Sequence, residues 1–293
     1  MAFNSLLSYW QEQGLDPMTL GQPQLWITSH TNEYLRNTSN NLPINGQTLL
    51  SYLNYSNSGF TFTRANTTNN TTYSLSTSTG LGYISSVSSP TSNSGGQYQG
   101  GTTSSFANLH KGKFTIYWAW RNSSNEDIST NKFMLATAVS SNSVGAFFGV
   151  GNASDGVGRG PISVIYKGIT SENVIAYSPT TAGYTSSLSN YNKTDSNKNR
   201  IWSWRVDLTV NTGDTAMWFY HNWILDGQAI LANLPSSAAT SATVINIGNR
   251  STAGGTGRFV GYYGDLIIFD ELHDEFTHNK ICNYLKNKWQ VTN

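Results

Sequence analysis

The C-terminal run from Arg258 to Trp289 changes from a strand pattern to a helix pattern within one short connection. Residues Phe259 to Asp270 are mostly apolar, aromatic or β-branched, which is typical of a strand. Asp274 or Thr277 can cap a helix after it, whose inner face is predicted from helical spacing to hold Phe276, Ile281, Tyr284, Leu285 and Trp289. We expect this helix, at about 277–289, to pack back on a sheet and close the fold.

The middle of the chain holds short strand-like runs separated by turn signals. Alternate residues are large and apolar in Lys113–Arg121, and the same alternation recurs in Arg200–Val210. The two runs place on their apolar faces four tryptophans that we expect to pack in a core: Trp118, Trp120, Trp202 and Trp204. Several such runs in one chain predict an all-β fold of two packed sheets.

Three segments near the C-terminus follow one another in a familiar order. A strand with a turn at Asn222–Gly227 is followed by a strand at Ile245–Arg250, and then by the final strand and helix with Leu272, Tyr284, Leu285, Lys288 and Trp289. This order resembles the concanavalin A-like (laminin-G-like) jelly-roll family. The resemblance implies a two-sheet antiparallel jelly-roll β-sandwich over residues 25–293. The family includes lectins, glucanases, adhesion modules and viral surface proteins, so the resemblance predicts fold more than function.

Charge and cysteine content argue against several classes of protein. The charged fraction is 11% and the net charge is +1, which predicts neither a nucleic-acid partner nor an anionic membrane partner. No apolar run has the length needed for membrane insertion, and the first residues lack the basic and apolar parts of a secretory signal. The single cysteine, Cys282, excludes an internal disulfide, and we expect it to be buried in the final helix.

Two segments are expected to lie outside the regular sandwich. Residues 1–24 form a predicted N-terminal arm with a short amphipathic helix at Ser5–Gln13, which either covers its own domain, the favoured alternative, or docks on a neighbouring subunit. Residues 74–105 are rich in Ser, Thr and Gly and predict a long surface loop with one short strand around Leu81–Val87. Contacts through both segments would make the protein a homo-oligomer.

Aromatic residues in loops or near strand ends are the candidates for binding sugar. Flat aromatic rings stack on the apolar faces of sugar rings, while amides and carboxylates bind the hydroxyl groups. The candidate residues are Trp223, Tyr184, Tyr191 and Tyr98. Their sequence positions alone do not bring them together in space.

Acidic residues give weaker signals for catalysis and metal binding. A retaining glycosidase needs two carboxyl groups about 5 Å apart. In a regular strand Asp265 and Asp270 would point to opposite faces, which argues against such a pair. Asn152 and Asp155 lie in a glycine-rich stretch that suits either a calcium site or an ordinary tight turn. We expect no other cofactor.

The low charge, the long loop and the apolar arm together favour a non-enzymatic structural or decorating protein on the surface of a virus or phage particle. Its partners would be other virion subunits, and it would be made in the host cytoplasm. The alternative is a carbohydrate-binding, lectin-like module that recognises cell-surface glycans. A glycoside hydrolase is a remote third possibility.

Overall fold

The computed structural model describes most of the chain, namely residues 17–56, 60–64, 71–76, 79–85, 98–100, 106–122, 132–137, 144–152, 159–167, 172–177, 198–236, 245–248 and 259–292. Within these ranges the backbone forms 17 strands in two antiparallel sheets, of eight and nine strands. The first sheet contains β1 (Leu25–Thr28), β5 (Thr72–Leu75), β6 (Gly82–Ser85), β8 (Lys113–Asn122), β13 (Arg200–Asp207), β14 (Thr215–His221), β15 (Ile224–Ile230) and β17 (Gly261–Phe269).

The second sheet contains β2 (Leu35–Asn37), β3 (Leu49–Leu53), β4 (Thr61–Arg64), β7 (Tyr98–Gly100), β9 (Lys132–Ala136), β10 (Val144–Asn152), β11 (Arg159–Lys167), β12 (Asn173–Tyr177) and β16 (Ile245–Ile247). The described helices are α1 (Pro17–Leu20), α2 (Asn108–Lys111) and α3 (Glu275–Trp289).

Strand β17 lies near the middle of the first sheet. The sheet order is β15-β14-β13-β8-β17-β6-β5, and β1 pairs with the part of β17 that β6 leaves open. The order of the second sheet is β12-β11-β10-β9-β16-β7-β4-β3-β2. The predicted all-β architecture, two antiparallel sheets with a short C-terminal helix, is confirmed.

The main core lies between the two sheets and is rich in aromatic rings. Trp118, Trp120, Trp202 and Trp204 are each at most 1% exposed, as their alternation predicted. The Trp204 ring lies 5.5 Å from that of Phe148 in the second sheet. Burial of these rings is a large part of what holds the sheets together.

A second, smaller core lies on the outer face of the first sheet, under helix α3. The apolar residues that meet there include Tyr117, Ile201, Ile267 and Phe269 from the sheet and Ile281, Cys282, Leu285 and Trp289 from the helix. Asp274 caps the helix by accepting a 2.7 Å hydrogen bond from the backbone N–H of Thr277. The helix therefore packs on the sheet, as expected, and Cys282 is fully buried.

Phe276 does not lie on the inner face of α3, where the sequence pattern placed it. Its side chain is 67% exposed. Phe276 precedes Ile281 by five residues, which on an α-helix is a rotation of about 140° from the buried stripe. Its ring instead lies 4.2 Å from the Nζ of Lys280.

The segment predicted as a long surface loop at 74–105 contains regular structure. Strands β6 and β7 lie inside it, and Tyr83, Ile84 and Tyr98 are buried. Strand β6 matches the short strand predicted around Leu81–Val87, whereas β7 was not predicted. In the N-terminal arm, Met18 and Leu20 pack against the second core, whereas the predicted helix at Ser5–Gln13 lies outside the described residues.

A β-bulge in β17 turns an acidic side chain toward the helix. Tyr263 pairs with Trp120 and Leu266 with Trp118, so two residues of β17, Gly264 and Asp265, lie opposite a single residue of β8. Tyr263 and Leu266 both face the main core. The bulge thus breaks the regular alternation and turns the side chain of Asp265 to the outer face.

Asp265 is the centre of a buried polar network between β17, β1 and α3. Its carboxylate is fully buried and lies 2.8 Å from the Nζ of Lys288. The indole N–H of Trp26 donates to Oδ1 at 3.0 Å, and that of Trp289 donates to Oδ2 at 2.7 Å. Lys288 also donates to Thr28 at 3.0 Å. Burial alone would raise the pKa of Asp265, but Lys288 and these hydrogen bonds hold it below the ordinary value.

Two histidines at the start of α3 are buried against the first sheet: His273 just before the helix and His278 within it. The Nδ1 of His273 is 2.8 Å from the hydroxyl of Tyr117, and the Nε2 of His278 is 2.8 Å from the hydroxyl of Ser203. Burial, helped by the positive charge of Arg205, lowers the pKa of His273 to about 4 and that of His278 to about 3. Glu271 lies 3.3 Å from His273, but its side chain is 55% exposed and is screened by water, so burial dominates.

Replacing Lys288 by Met should strongly destabilise the protein. The substitution leaves the carboxylate of Asp265 buried without its counter-ion, which typically costs about 3–5 kcal/mol. The measurement is urea unfolding followed by tryptophan fluorescence.

The matched control is Lys167→Met. Lys167 lies 2.9 Å from Glu172 in a pair that is 29% and 41% exposed, so its loss should cost less than about 1 kcal/mol. Equal, small losses for both variants would contradict the structural role of the Asp265 network.

Acidification should destabilise the fold well before the carboxylates are protonated. Between pH 6.5 and about 4 the unfolded chain binds protons that His273 and His278 do not bind in the folded state. Their contribution is therefore fully present above pH 6.5 and is lost as the pH falls. Each unit of pKa difference corresponds to about 1.4 kcal/mol, so urea midpoints should fall steeply over this range. Midpoints that stay constant down to about pH 4 would show that the two imidazoles are not held neutral.

Candidate functional site

Side chains from three strands, from the residue before β13, from the β14–β15 turn and from helix α3 lie at one end of the outer face of the first sheet. They share an aromatic, amide or cationic character, and all but the buried Tyr83 are half-buried. We call this set the outer row; its members are Tyr83, Arg121, Asn199, Trp223, Tyr262 and Lys286.

Strand register places the members of the outer row side by side. Tyr262 of β17 pairs with Arg121 of β8. Arg200 of β13 pairs with Trp120, so Asn199, one residue earlier, lies next to Arg121. The row therefore crosses the end of the sheet from β17 through β8 toward β14.

Trp223 occupies the tight turn between β14 and β15. Trp202 pairs with His221, and Asn222 exchanges hydrogen bonds with Ile201, so the turn lies at the same end of the sheet. The φ angles of Asn222 and Trp223 are 46° and 70°, the left-handed pair that a two-residue hairpin turn requires. Asn and Gly suit such positions, whereas a bulky residue there is strained by roughly 1–3 kcal/mol.

The Trp223 ring lies against helix α3. It packs at the margin of the second core, and the Nζ of Lys286 lies 4.3 Å from its centroid. A cation over an indole face is attracted to it electrostatically. The helix thus holds the ring in place, while the residue as a whole stays partly exposed.

Asn199 connects the row to the buried network. Its Oδ1 accepts a 3.0 Å hydrogen bond from the hydroxyl of Tyr83, and its Nδ2 donates at 2.6 Å to the backbone carbonyl of Trp289. One amide N–H remains available for a ligand hydroxyl group. Burial raises the pKa of Tyr83, although Arg121 and Asn199 oppose the shift. Tyr83 is therefore a neutral hydroxyl donor at any ordinary pH.

Of the four aromatic residues proposed from sequence to bind sugar, only Trp223 lies in the outer row. Tyr98 is 1% exposed and lies in β7, with its ring stacked 3.8 Å from that of Tyr52. It therefore offers no face to a sugar, in contrast to the loop position expected for it. Tyr184 and Tyr191 lie outside the described residues.

The candidate calcium ligands fall at the margin of the described structure. Asn152 is the last residue of β10 and pairs with Arg159, but its side chain is outside the described part, and Asp155 lies there entirely. In the ranges that are described, no group of three or more His, Cys, Asp and Glu residues is arranged to hold a metal ion. None of the described helices is long and apolar enough to cross a membrane.

The acids near the end of β17 have structural partners. Asp265 is fully buried between Lys288 and two indoles, and Asp274 caps α3. The bulge precedes Asp265, and the alternation from Asp265 to Phe269 is regular, so Asp265 and Asp270 do not form a pair on one strand face. The burial of Asp265 also keeps it from the water and substrate that a glycosidase carboxylate must reach.

Sequence reasoning did not find Arg121 or Asn199 as members of a site. Arg121 is the last residue of one predicted strand, and Asn199 directly precedes another. The apolar residues of these strands dominate the sequence pattern. Only the pairing of β8 with β13 and β17 brings these polar ends together.

Comparison with known proteins identifies relatives of the fold but not of the sequence. No protein-family model matches the chain, and no curated protein gives a significant match. Among solved structures, a binding domain of botulinum neurotoxin DC in complex with rat synaptotagmin II is similar with a TM-score of 0.54 and 15% identity, over 90% of this chain and 52% of that one.

The same domain in complex with SialylT gives a TM-score of 0.52 and 13% identity, over 91% of this chain and 52% of that one. A structure of botulinum neurotoxin type C, whose cell entry depends on interaction with two ganglioside molecules, gives a TM-score of 0.50 and 15% identity, over 89% of this chain and 51% of that one. The chain thus spans about half the length of these structures. At this level of identity the likeness shows the fold alone: a β-sandwich of the kind found in toxin binding domains.

Proposed function

We propose that the protein is a carbohydrate-binding module that recognises a glycan receptor, with Trp223 as its main contact. The observation that carries the proposal is the position of Trp223 in a left-handed turn, where Asn or Gly would be relaxed. Strain of this kind is typical of sites where a side chain must be held in place for binding.

The surroundings of Trp223 suit a sugar. Leu225, which pairs with Tyr220 on the outer face of the sheet, is 46% exposed and adds apolar surface on the side of Trp223. The free amide N–H of Asn199 can donate to a hydroxyl group. An aromatic ring flanked by a few fixed polar groups is the usual composition of a small-molecule binding surface.

The structural neighbours support a binding role over catalysis. They are binding domains, and two of them were solved in complex with rat synaptotagmin II and with SialylT. This favours the lectin-like alternative of the sequence-based predictions. The similarity gives no support to the prediction of a structural protein on a virus or phage particle. The virion partners, the oligomeric state and the location on a virion surface stay predictions. Membership of the concanavalin A-like family is part of the same proposal.

Trp223→Gly should abolish glycan binding without unfolding the protein. Asn-Gly is the preferred pair for this turn, so relief of backbone strain offsets part of the lost packing. On a glycan array, the wild type should bind a defined subset of oligosaccharides and the variant none of them. Urea unfolding should show a change in stability of less than about 2 kcal/mol.

The matched control is Trp218→Phe. Trp218 is also half-buried and lies on β14, the strand that leads into the turn of Trp223, with the guanidinium of Arg205 5.8 Å from its ring centroid. Its replacement should leave array binding unchanged. Binding that survives Trp223→Gly, or that is lost equally in Trp218→Phe, would show that Trp223 is not the contact; binding to no glycan would reject the function itself.

A further inference from the structure

Arg121 is held in an unusual way for a surface arginine. Its guanidinium lies 4.1 Å from the ring centroid of Tyr262 and 4.7 Å from that of Tyr83. The side chain is half-buried, and its Nε is buried without a hydrogen-bond partner. None of the ion pairs found within the described ranges involves Arg121.

The two tyrosine rings leave part of the guanidinium unsatisfied. Aromatic rings interact with the flat faces of a guanidinium, whereas its five N–H donors point outward in its plane. The rings also orient the group, so little freedom is lost when an acceptor binds. A planar anion such as a carboxylate is the acceptor that matches this fork.

The outer row carries positive charge and no acid. Arg121 and Lys286 are its two ionisable cationic members, and the others are Tyr83, Asn199, Trp223 and Tyr262. Arg121 and Trp223 are separated by two strand spacings, about 10 Å. One ligand can reach both only if it has more than one sugar ring.

We infer that the outer row binds an acidic oligosaccharide, with a sugar carboxylate paired to Arg121 while a neighbouring ring stacks on Trp223. This inference rests on the proposed carbohydrate-binding function and names the class of glycan. The carboxylate accepts two hydrogen bonds from the guanidinium, and Lys286 adds a second positive charge near the stacked ring.

Calorimetry with paired acidic and neutral probes tests the inference. The acidic probes are sialyllactose and a hyaluronan tetrasaccharide; the neutral ones are lactose and chitotetraose; a sulfated, carboxylate-free lactose distinguishes the kind of anion. The wild type should bind at least one carboxylate probe about tenfold or more tightly than its neutral counterpart. Arg121→Gln should remove that preference, so that the carboxylate probe binds no more tightly than its neutral counterpart.

Two further variants make the result specific. Arg121→Lys keeps the charge but not the planar fork, so its affinity for the carboxylate probe should be intermediate. Arg36→Gln removes one positive charge in the second sheet, where Arg36 donates to backbone carbonyls of Glu33 and Leu35, and should change nothing. Circular dichroism checks that each variant is folded.

The outcomes separate this inference from the proposed function. Equal affinity for acidic and neutral probes, both sensitive to Trp223→Gly, would overturn the acidic specificity and leave a neutral-sugar module. A preference for the sulfated probe over both carboxylate probes would overturn the assignment of a carboxylate. Binding of none of the probes, together with an empty glycan array, would reject the function on which the inference rests.

Discussion

The buried ion pair between Asp265 and Lys288 is the interaction on which the C-terminal part of the structure depends. A fully buried carboxylate is tolerable only with a counter-ion and saturated hydrogen bonding. Lys288 and the indoles of Trp26 and Trp289 supply both. Because these groups come from β1, β17 and α3, the pair specifies one position of the helix on the sheet, which apolar contacts alone would specify less sharply.

The position of α3 in turn determines the outer row. The backbone carbonyl of Trp289 accepts from Asn199, and Lys286 lies over Trp223. A shift of the helix would therefore move the amide and the cation together. The buried carboxylate is structural, and the outer row at the end of the same sheet face is the surface proposed to bind the ligand.

The sequence predicted the features of the fold that depend on the spacing of apolar residues along a strand or helix. Alternation along β8 and β13 predicted the buried tryptophans, and the change of period after Asp270 predicted a helix with Asp274 or Thr277 as its cap, of which Asp274 is the one observed. Features that depend on strand pairing could not be predicted in this way. The bulge at Gly264, which turns Asp265 to the outer face, leaves no periodic signal, and the pairing of β7 with β4 and β16 buried Tyr98 in a segment whose composition is typical of a loop. The outer row is of the same kind, since its members are far apart in sequence and meet only through register.

The role of the outer row in glycan binding is tested most directly by a two-dimensional proton–nitrogen NMR titration of the tryptophan side chains. The chain has nine tryptophans, and the signal of Trp223 can be assigned by its disappearance in Trp223→Gly. With sialyllactose as the titrant, the account predicts a saturable shift of the Trp223 indole N–H, while those of the buried Trp118 and Trp204 stay in place. A saturable shift at Trp218 instead, or a Trp223 signal that stays fixed while calorimetry detects binding, would contradict it.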